Sequence, residues 1–496
     1  MKFEVLAEPD LEFGGGVHID IRYGIQDYGP IGFDNPATTK VIKVGLVGTP
    51  STVRGVLDWM TVAKAGVAET ASKKPRFRPK FPGFGPESPF RCDWATEPRL
   101  QRPMEQRAIN SILTSPSRND AVEKAVELFM DECRYLDKEA KVDVLICAPP
   151  IELLRYFDDE PDEDGSDLEY KPKRMAGSKS RKLKQKAAKY RVDLDFHDLL
   201  KAKSLALGSP IQFIRPATYD ESVRQSSSTG RRRRLQDPAT RAWNFHTALY
   251  YKAGGTPWRL LRKLAEFESC YVGISFFRTI DREHIHTSVA QVFNERGEGM
   301  ILRGGEATIS KHDLQPHLSE NDMKDLLLKS LRAFEKEHHH FPPRVVLHKT
   351  SGFTDDERRG CEKALDELRV VKHRDLLVVR ESDIRLFRPG IYAALRGSFL
   401  EMDSENFLLY TRGSVPFFEM YPGMYVPRAL EIELVATEES PKVLAQEILA
   451  LTKMNWNNTQ FDSANPITVT AARQVGAILK YAGEMKDIQS RYAFYM

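Results

Sequence analysis

The fold is decided by Tyr271-Val272-Gly273-Ile274-Ser275-Phe276-Phe277, together with Val345-Val346-Leu347-His348-Lys349-Thr350. Each is an apolar run with the length of a buried strand. Ser275 and Thr350 stand near the ends of the two runs, where a nuclease that uses two metal ions would carry aspartates. Hard divalent cations are held by anionic oxygen, and a hydroxyl carries no formal charge. The two runs therefore predict central strands of a sheet that lacks the carboxylates for two-metal hydrolysis.

The bulk composition is that of a soluble globular protein with about two to four domains, because 496 residues are 41% hydrophobic and 29% charged. The net charge of +3 does not indicate a nucleic-acid partner by itself. The charges are nevertheless clustered, in an acidic run (158–164) and two basic runs (171–189 and 231–234). Such runs are either solvated loops or, for the basic ones, contacts to a phosphate backbone.

Cysteine usage and the absence of targeting segments predict a cytoplasmic protein. The five cysteines form no Cys-x-x-Cys pair, which excludes a recognisable zinc ribbon and fits a reducing compartment. The start, Met1-Lys2-Phe3-Glu4, does not have the pattern of a signal peptide, and no apolar run has membrane-spanning length. The tract His338-His339-His340 follows a charged amphipathic segment and precedes two prolines, which is typical of a helix end rather than a metal site.

The chain changes character along its length. Residues 1–120 are rich in Gly and Pro and predict an extended strand and loop region that packs on the rest. A helix over 121–136 and the apolar run 142–147 then form one helix–strand unit. The helix over 196–206 and the strand 210–214 form a second unit. Helices alternating with buried strands predict a small, doubly wound, Rossmann-like α/β domain over 121–262.

The third region, 263–496, begins with three strands that form a meander near 271–277, 286–293 and 300–302. Helices over 321–336 and 355–368 then alternate with strands at 344–348 and 375–379. Antiparallel strands followed by alternating helices and strands give the order of elements in an RNase H-like sheet. The predicted fold class is therefore α/β, with a Rossmann-like domain followed by an RNase H-like domain.

At three places the sequence resembles prokaryotic Argonautes: 248–258 (ALYYKAGGTPW), 271–274 (YVGI) and 451–457 (LTKMNWN). The segments 196–203 (FHDLLKAK) and 210–212 (PIQ) strengthen the resemblance. It implies a MID domain over 121–262 and an inactive PIWI domain over 263–496. Residues 1–120 leave no room for full-size N and PAZ domains, so the chain is similar to the short Argonautes.

A binding site for an anion is predicted around four side chains. His197 and Lys201 are four residues apart and share one face of a helix, and Gln212 follows on the next strand. Lys252 lies on a further helix and can return to the same place. The resemblance implies that these four residues hold the 5′-phosphate of a guide strand. The alternative is that both lysines are ordinary surface residues and that His197 is a packing residue.

The resemblance also implies a divalent cation, Mg²⁺, at the guide phosphate. Gln212 and the terminal carboxylate of Met496 are the expected ligands, because the chain ends in an aromatic segment (491–496) typical of a docked tail. The alternative is a packed tail without a metal.

The PIWI catalytic positions, carried over by the resemblance, fall on Ser275, Thr350 and Leu451. Glu306 is a carboxylate nearby in sequence, but one acid cannot hold two metals. We therefore expect that the chain does not cut its target. His348 and Lys349 remain at the strand end, where we expect them to contact backbone phosphate.

The function implied by the resemblance is that of a guide-holding subunit in a prokaryotic immune complex. Such a chain binds a 5′-phosphorylated guide, RNA in most cases, and pairs it with single-stranded DNA. It forms a heterodimer with an APAZ-domain protein whose effector is a TIR or sirtuin-like domain or a nuclease, and the complex can form a higher oligomer on activation. No membrane partner is expected.

Two other functions stay open at this point. One is a guide-directed nuclease with a non-standard metal site at Asp281, Glu283 and His284, which follow the first central strand in a predicted turn. The other is a nucleic-acid-binding scaffold that uses no guide.

Overall fold

The structure is a computed structural model. It describes the residues 1–33, 35, 40–72, 75–157, 193–223, 235–261, 268–293, 299–390, 393–419, 421, 426–483 and 489–496. The charged runs 158–164, 171–189 and 231–234 lie outside these residues, so their two interpretations stay predictions.

The first half of the described chain contains strands and helices in alternation. Its strands are β1 (Lys2–Val5), β2 (Leu11–Glu12), β3 (Val17–His18), β4 (Val41–Gly48), β5 (Asp93–Ala95), β6 (Gln101–Pro103), β7 (Val144–Ala148), β8 (Ile211–Phe213) and β9 (Arg259–Leu260). Its helices are α1 (Ile21–Tyr28), α2 (Pro50–Lys64), α3 (Gln106–Leu113), α4 (Arg118–Tyr135), α5 (Ile151–Phe157), α6 (Phe196–Ser204), α7 (Pro216–Tyr219) and α8 (Pro238–Lys252).

The second half begins with strands. They are β10 (Ser269–Arg278), β11 (Ile285–Phe293), β12 (Ile301–Glu306), β13 (Thr308–Ile309), β14 (Pro316–His317), β15 (Arg344–Lys349), β16 (His373–Glu381), β17 (Ser398–Glu401), β18 (Asn406–Leu409) and β19 (Leu430–Ala436). Its helices are α9 (Glu320–His338), α10 (Asp355–Leu368), α11 (Pro441–Leu451) and α12 (Ile467–Ala482).

The α/β domain has a parallel sheet in which β4 lies between β5 and β6 on one side and β7 and β8 on the other. β4 and β7 are almost continuously apolar because helices cover both faces of a parallel sheet. α2 follows β4 directly and starts with a capping box at Thr49 and a proline at its first position. The predicted helix and strand at 196–206 and 210–214 are present as α6 and β8.

The position of β4 corrects the predicted division of the chain. We expected residues 1–120 to form strands and loops outside the α/β domain, but β4 pairs with β7, so the sheet starts before residue 121. A strand cannot be assigned to a sheet from local sequence, because its partner here lies about a hundred residues further along the chain. The division into three domains otherwise stays a proposal.

The second sheet has the predicted RNase H-like arrangement. Its nine strands follow the order β1-β17-β18-β19-β16-β15-β10-β11-β12. The central strands β10, β15 and β16 are parallel, while β11 and β12 continue from β10 as an antiparallel meander. α9 and α10 pack together on one face, and α12 packs across β10 and β11. The α/β fold class is therefore confirmed.

The start of the chain is tied to the large sheet. β1 pairs antiparallel with β17, and Glu8 then forms buried ion pairs with Arg396 at 2.9 Å and Lys453 at 2.6 Å. Burial, opposed in part by Glu8, lowers the pKa of Lys453 to about 8. Residues 1–120 thus contribute to both sheets. No helix within the described residues combines the length and the apolar character that crossing a membrane requires.

Candidate nucleic-acid site

Three of the four predicted anion-binding residues meet where α6, β8 and α8 come together. The Nζ atom of Lys201 on α6 donates to the carbonyl oxygen of Ile211. The Nζ atom of Lys252, the last residue of α8, donates to the side-chain oxygen of Gln212 on β8. Both lysines are almost fully buried, with 1% and 2% of their surface exposed. The alternative that they are ordinary surface lysines is therefore wrong.

The charge of this lysine pair is not neutralised. Among the described residues, neither ammonium group has a carboxylate within 4.0 Å, the C-terminal carboxylate included. Burial lowers the pKa of Lys201 to about 7. Burial, and secondly the charge of Lys201, lowers the pKa of Lys252 well below its usual value. Two buried amines that contact only neutral oxygens form a site that an anion would complete.

His197 stands apart from the lysine pair. It lies one helical turn before Lys201 on α6, but its side chain keeps 34% of its surface exposed. Its ring packs edge-on against Phe213 at 5.1 Å between centroids, and its Nδ1 lies 3.2 Å from the Asp198 carboxylate. His197 is thus the partly exposed member of the predicted set.

The residues present do not fit a divalent cation at Gln212. Its side-chain oxygen already accepts from the Lys252 ammonium, and a second buried lysine stands beside it. Two ammonium groups oppose a divalent cation at this place. Met496, the other expected ligand, is 5% exposed and follows a single helical turn at Tyr492–Phe494 that packs near α8.

Metal-type ligands meet elsewhere, in a group that sequence reasoning missed. Asp195, His197 and Asp198 place one ligating atom each within 4.8 Å of one another, the single such group among the residues described. Asp195 caps α6 by accepting from the Asp198 amide at 2.7 Å. Asp198 also lies 3.6 Å from the Lys480 ammonium. The spacing Asp-x-His-Asp was the available signal, but helix capping and an ion pair already explain this group.

Ser275 and Thr350 lie side by side on two parallel strands, Ser275 within β10 and Thr350 just after the end of β15. Gly273 pairs with His348 and Ile274 with Lys349, so Ser275 and Thr350 are the next residues along β10 and after β15. The helix that packs over these two strands is α12. A Cβ atom at Gly273 would lie 2.1 Å from the carbonyl oxygen of Thr468, so a glycine is required for this close approach.

Leu451 does not lie on the helix that packs over Ser275 and Thr350, which corrects the prediction that it holds the third catalytic position. It ends α11 and is fully buried in the core, whereas α12 packs on β10. The sequence motif around Leu451 has another role. Trp258 donates to the carbonyl of Lys453 at 3.0 Å, and Trp456 donates to the carbonyl of Trp258 at 3.2 Å. This motif therefore joins the end of the α/β domain to the C-terminal part.

His348 and Lys349 are buried, so the expectation that they contact backbone phosphate is wrong for this structure. His348 bonds Thr468 through Nδ1 at 2.8 Å, and burial, followed by the charge of Arg344, lowers its pKa to about 3. The Lys349 ammonium lies 2.6 and 2.7 Å from the two carboxylate oxygens of Glu357, and neither side chain is exposed. Both residues hold the sheet to its covering helices.

The alternative metal site does not assemble. Asp281 accepts from the Thr279 hydroxyl and from the Glu283 amide, as expected in an exposed turn. His284 instead pairs with Glu306 at 2.7 Å. These groups therefore have the contacts of solvated turn residues.

Solved structures with the same fold are found, although comparisons by sequence find no match. No protein-family model matches the sequence, and no curated protein matches it. Solved structures do match. Clostridium butyricum Argonaute bound to a guide DNA and a 19-mer target DNA aligns with a TM-score of 0.61 and 14% identity, over 97% of this chain and 53% of its own.

Two further structures give the same result. Aa-Ago with externally bound siRNA aligns with a TM-score of 0.56 and 15% identity, over 100% of this chain and 56% of its own. Drosophila Piwi aligns with a TM-score of 0.59 and 11% identity, also over 100% and 56%. The chain has an Argonaute-like fold and spans about half the length of these neighbours.

Proposed function

We propose that the chain binds the 5′-phosphorylated end of a guide strand, with the phosphate at Lys201, Gln212 and Lys252. The observation that carries this proposal is the buried lysine pair without a carboxylate partner. A phosphate would accept charge-assisted hydrogen bonds from both ammonium groups and remove their mutual repulsion. His197, the partly exposed member of the set, then contacts the guide where it leaves the pocket.

The guide, in this proposal, is RNA and pairs with single-stranded DNA. Base pairing then reads the target sequence, while the protein reads backbone and helix shape. Two of the structural neighbours support a nucleic-acid partner, since one is described with guide and target DNA and another with an siRNA.

Target recognition proceeds without cleavage in this proposal. Ser275 and Thr350 offer hydroxyls, not carboxylates, at neighbouring positions of two parallel strands. Hydroxyl groups do not replace the anionic ligands of a two-metal centre. The pairing of guide and target would therefore act as a signal.

The signal would reach a separate effector chain. In this proposal the partner completes the nucleic-acid channel. We propose an APAZ-domain protein as this partner, in a heterodimer, with a TIR, sirtuin-like or nuclease effector.

End-labelling of the nucleic acid that co-purifies with the full chain tests the proposal. We expect strands that polynucleotide kinase labels only after phosphatase treatment, because their 5′ ends already carry phosphate, and that ribonuclease digests. Lys252→Met should purify with much less of this material. Strands with free 5′-hydroxyl ends, or equal amounts on the wild type and on Lys252→Met, would contradict it.

A further inference from the structure

Among the residues that the structure describes, β1 forms an open edge of the large sheet. Along one side β1 pairs with β17, from Lys2 opposite Glu401 to Val5 opposite Ser398. Within the described ranges, no strand pairs along its other side. The N–H and C=O groups on an open edge are a template for another strand.

The opposite edge of the same sheet is covered. At the start of β12, the amide of Ile301 donates to the carbonyl of Ser490 at 2.6 Å. The side chain of Arg303 on the same strand donates to the carbonyl of Gly483. The C-terminal segment thus protects β12, whereas β1 has no such cover among the described residues.

The exposed face of β1 is apolar, although edge strands are usually protected by charges. Met1, Phe3 and Val5 alternate along the strand and are 98%, 56% and 42% exposed. The intervening Lys2 and Glu4 point to the other face of the sheet, where Glu4 pairs with Lys442 of α11. β1 therefore presents apolar side chains on one face of the sheet and two charged side chains on the opposite face.

The outward hydrogen-bonding groups of the edge belong to Phe3 and Val5. The amide of Leu6 donates inward, to Gly397, at 2.8 Å. In an antiparallel ladder the residues two and four positions earlier, Glu4 and Lys2, face the same way, and the residues between them face outward. Phe3 can therefore exchange both backbone hydrogen bonds with a strand placed alongside.

We propose that β1 pairs antiparallel with β1 of a second copy of this chain, in the register centred on Phe3. Each Phe3 then lies opposite the Phe3 of the other copy, in a hydrogen-bonded pair. Each Lys2 lies opposite a Glu4, in the pairs without hydrogen bonds where side chains approach most closely. Met1 and Val5 complete an apolar stripe on the other face.

The charges select this register over its neighbours. A register centred on Lys2 would place two lysines opposite each other, and one centred on Glu4 would place two carboxylates opposite each other. Like charges directly opposite destabilise a strand pair. The sequence Lys2-Phe3-Glu4 is therefore complementary to itself only about Phe3.

The dimer is expected to be weak. Stable interfaces bury about 1,200–2,000 Å² in total, and two strands of four residues supply much less. Association should therefore depend on protein concentration. This proposal does not depend on guide binding, because β1 belongs to the nine-stranded sheet, whereas the lysine pair contacts β8 of the α/β sheet.

Sedimentation velocity of the full chain over a range of concentrations tests the proposal. We expect the wild type to shift from monomer to dimer. Lys2→Glu leaves only acidic side chains at positions 2 and 4, and Glu4→Lys leaves only basic ones. Each variant alone should associate about tenfold more weakly or worse, since two attractive pairs become repulsive.

An equimolar mixture of the two variants should recover the association, because every acidic position then meets a basic one. Lys138→Glu, an equal charge change at an exposed residue of another region, should have no effect. Melting temperatures show whether the variants fold. A wild type that stays monomeric, or a mixture that associates no better than its components, would overturn the proposal.

Discussion

The ammonium group of Lys252 donates to the side-chain oxygen of Gln212, and that of Lys201 donates to the carbonyl oxygen of Ile211, the preceding residue of the same strand. No carboxylate of the described residues neutralises either amine. Since an uncompensated buried charge costs several kcal/mol, this arrangement destabilises the guide-free protein. Such a cost is characteristic of a binding site that its ligand completes.

Replacing Lys252 by methionine should therefore stabilise the guide-free protein while removing its preference for 5′-phosphate. Methionine fills a similar volume without requiring a counter-charge. Differential scanning calorimetry of protein freed of nucleic acid should show a melting temperature equal to or above that of the wild type. A clear loss of stability would indicate that Lys252 has a structural role.

The stability of the guide-free protein should rise with pH above about 7. The pKa of Lys201 is lowered to about 7 in the folded protein, while its usual value is 10.5, so the unfolded chain binds more protons between these values. Unfolding by urea at pH 7 and pH 9 measures the difference. Lys201→Met should flatten this dependence, and an unchanged slope in that variant would contradict the assignment.

Restoring two aspartates should not restore cleavage. The double variant Ser275→Asp, Thr350→Asp places two carboxylates on neighbouring strands, but two carboxylates alone do not make the ligand set of a two-metal centre. A guide-matched DNA target should stay intact with Mg²⁺ or Mn²⁺ present. Cleavage by the wild type that disappears in Asp281→Ala would instead support the alternative nuclease.

Loss of the Glu357 carboxylate should destabilise the protein by about 3–5 kcal/mol, because Lys349 would be left buried and unpaired. Glu357→Leu alone shows this loss in urea unfolding. Combining it with Lys349→Met should recover part of the stability, although the capping contacts of Glu357 at Thr354 stay lost. The affinity for the guide should stay unchanged in these variants, since neither residue is part of the Lys201 and Lys252 site.

The sequence predicted the central strands directly and the lysine pair through the family resemblance. The apolar runs of β10 and β15 have the length of buried strands. The four-residue spacing on α6 paired Lys201 with His197, which stands apart in the structure, while the resemblance added Gln212 and Lys252 to the same site. Lys201, Gln212 and Lys252 accordingly meet in the structure.

Long-range pairing and burial could not be read from local sequence. β4 joined β7 across about a hundred residues, which placed it in the α/β sheet. The position of His348 and Lys349 at a strand end predicts contacts to backbone phosphate, but Thr468 and Glu357 bind them inside the protein. Which of two C-terminal helices crosses β10 likewise depends on packing, and this misplaced Leu451.

The preference for a guide phosphate tests the central claim most directly. Dissociation constants are measured for one RNA carrying a 5′-phosphate or a 5′-hydroxyl, on the full chain, on Lys201→Met and on Lys203→Met. Lys203 lies on the same helix but is exposed, so it is the matched control. We predict that the wild type and Lys203→Met prefer the phosphate by at least about tenfold and that Lys201→Met does not, because a charge-assisted contact contributes about 1.5–3 kcal/mol. Equal affinity of the wild type for both RNAs, or an unchanged preference in Lys201→Met, would contradict the account.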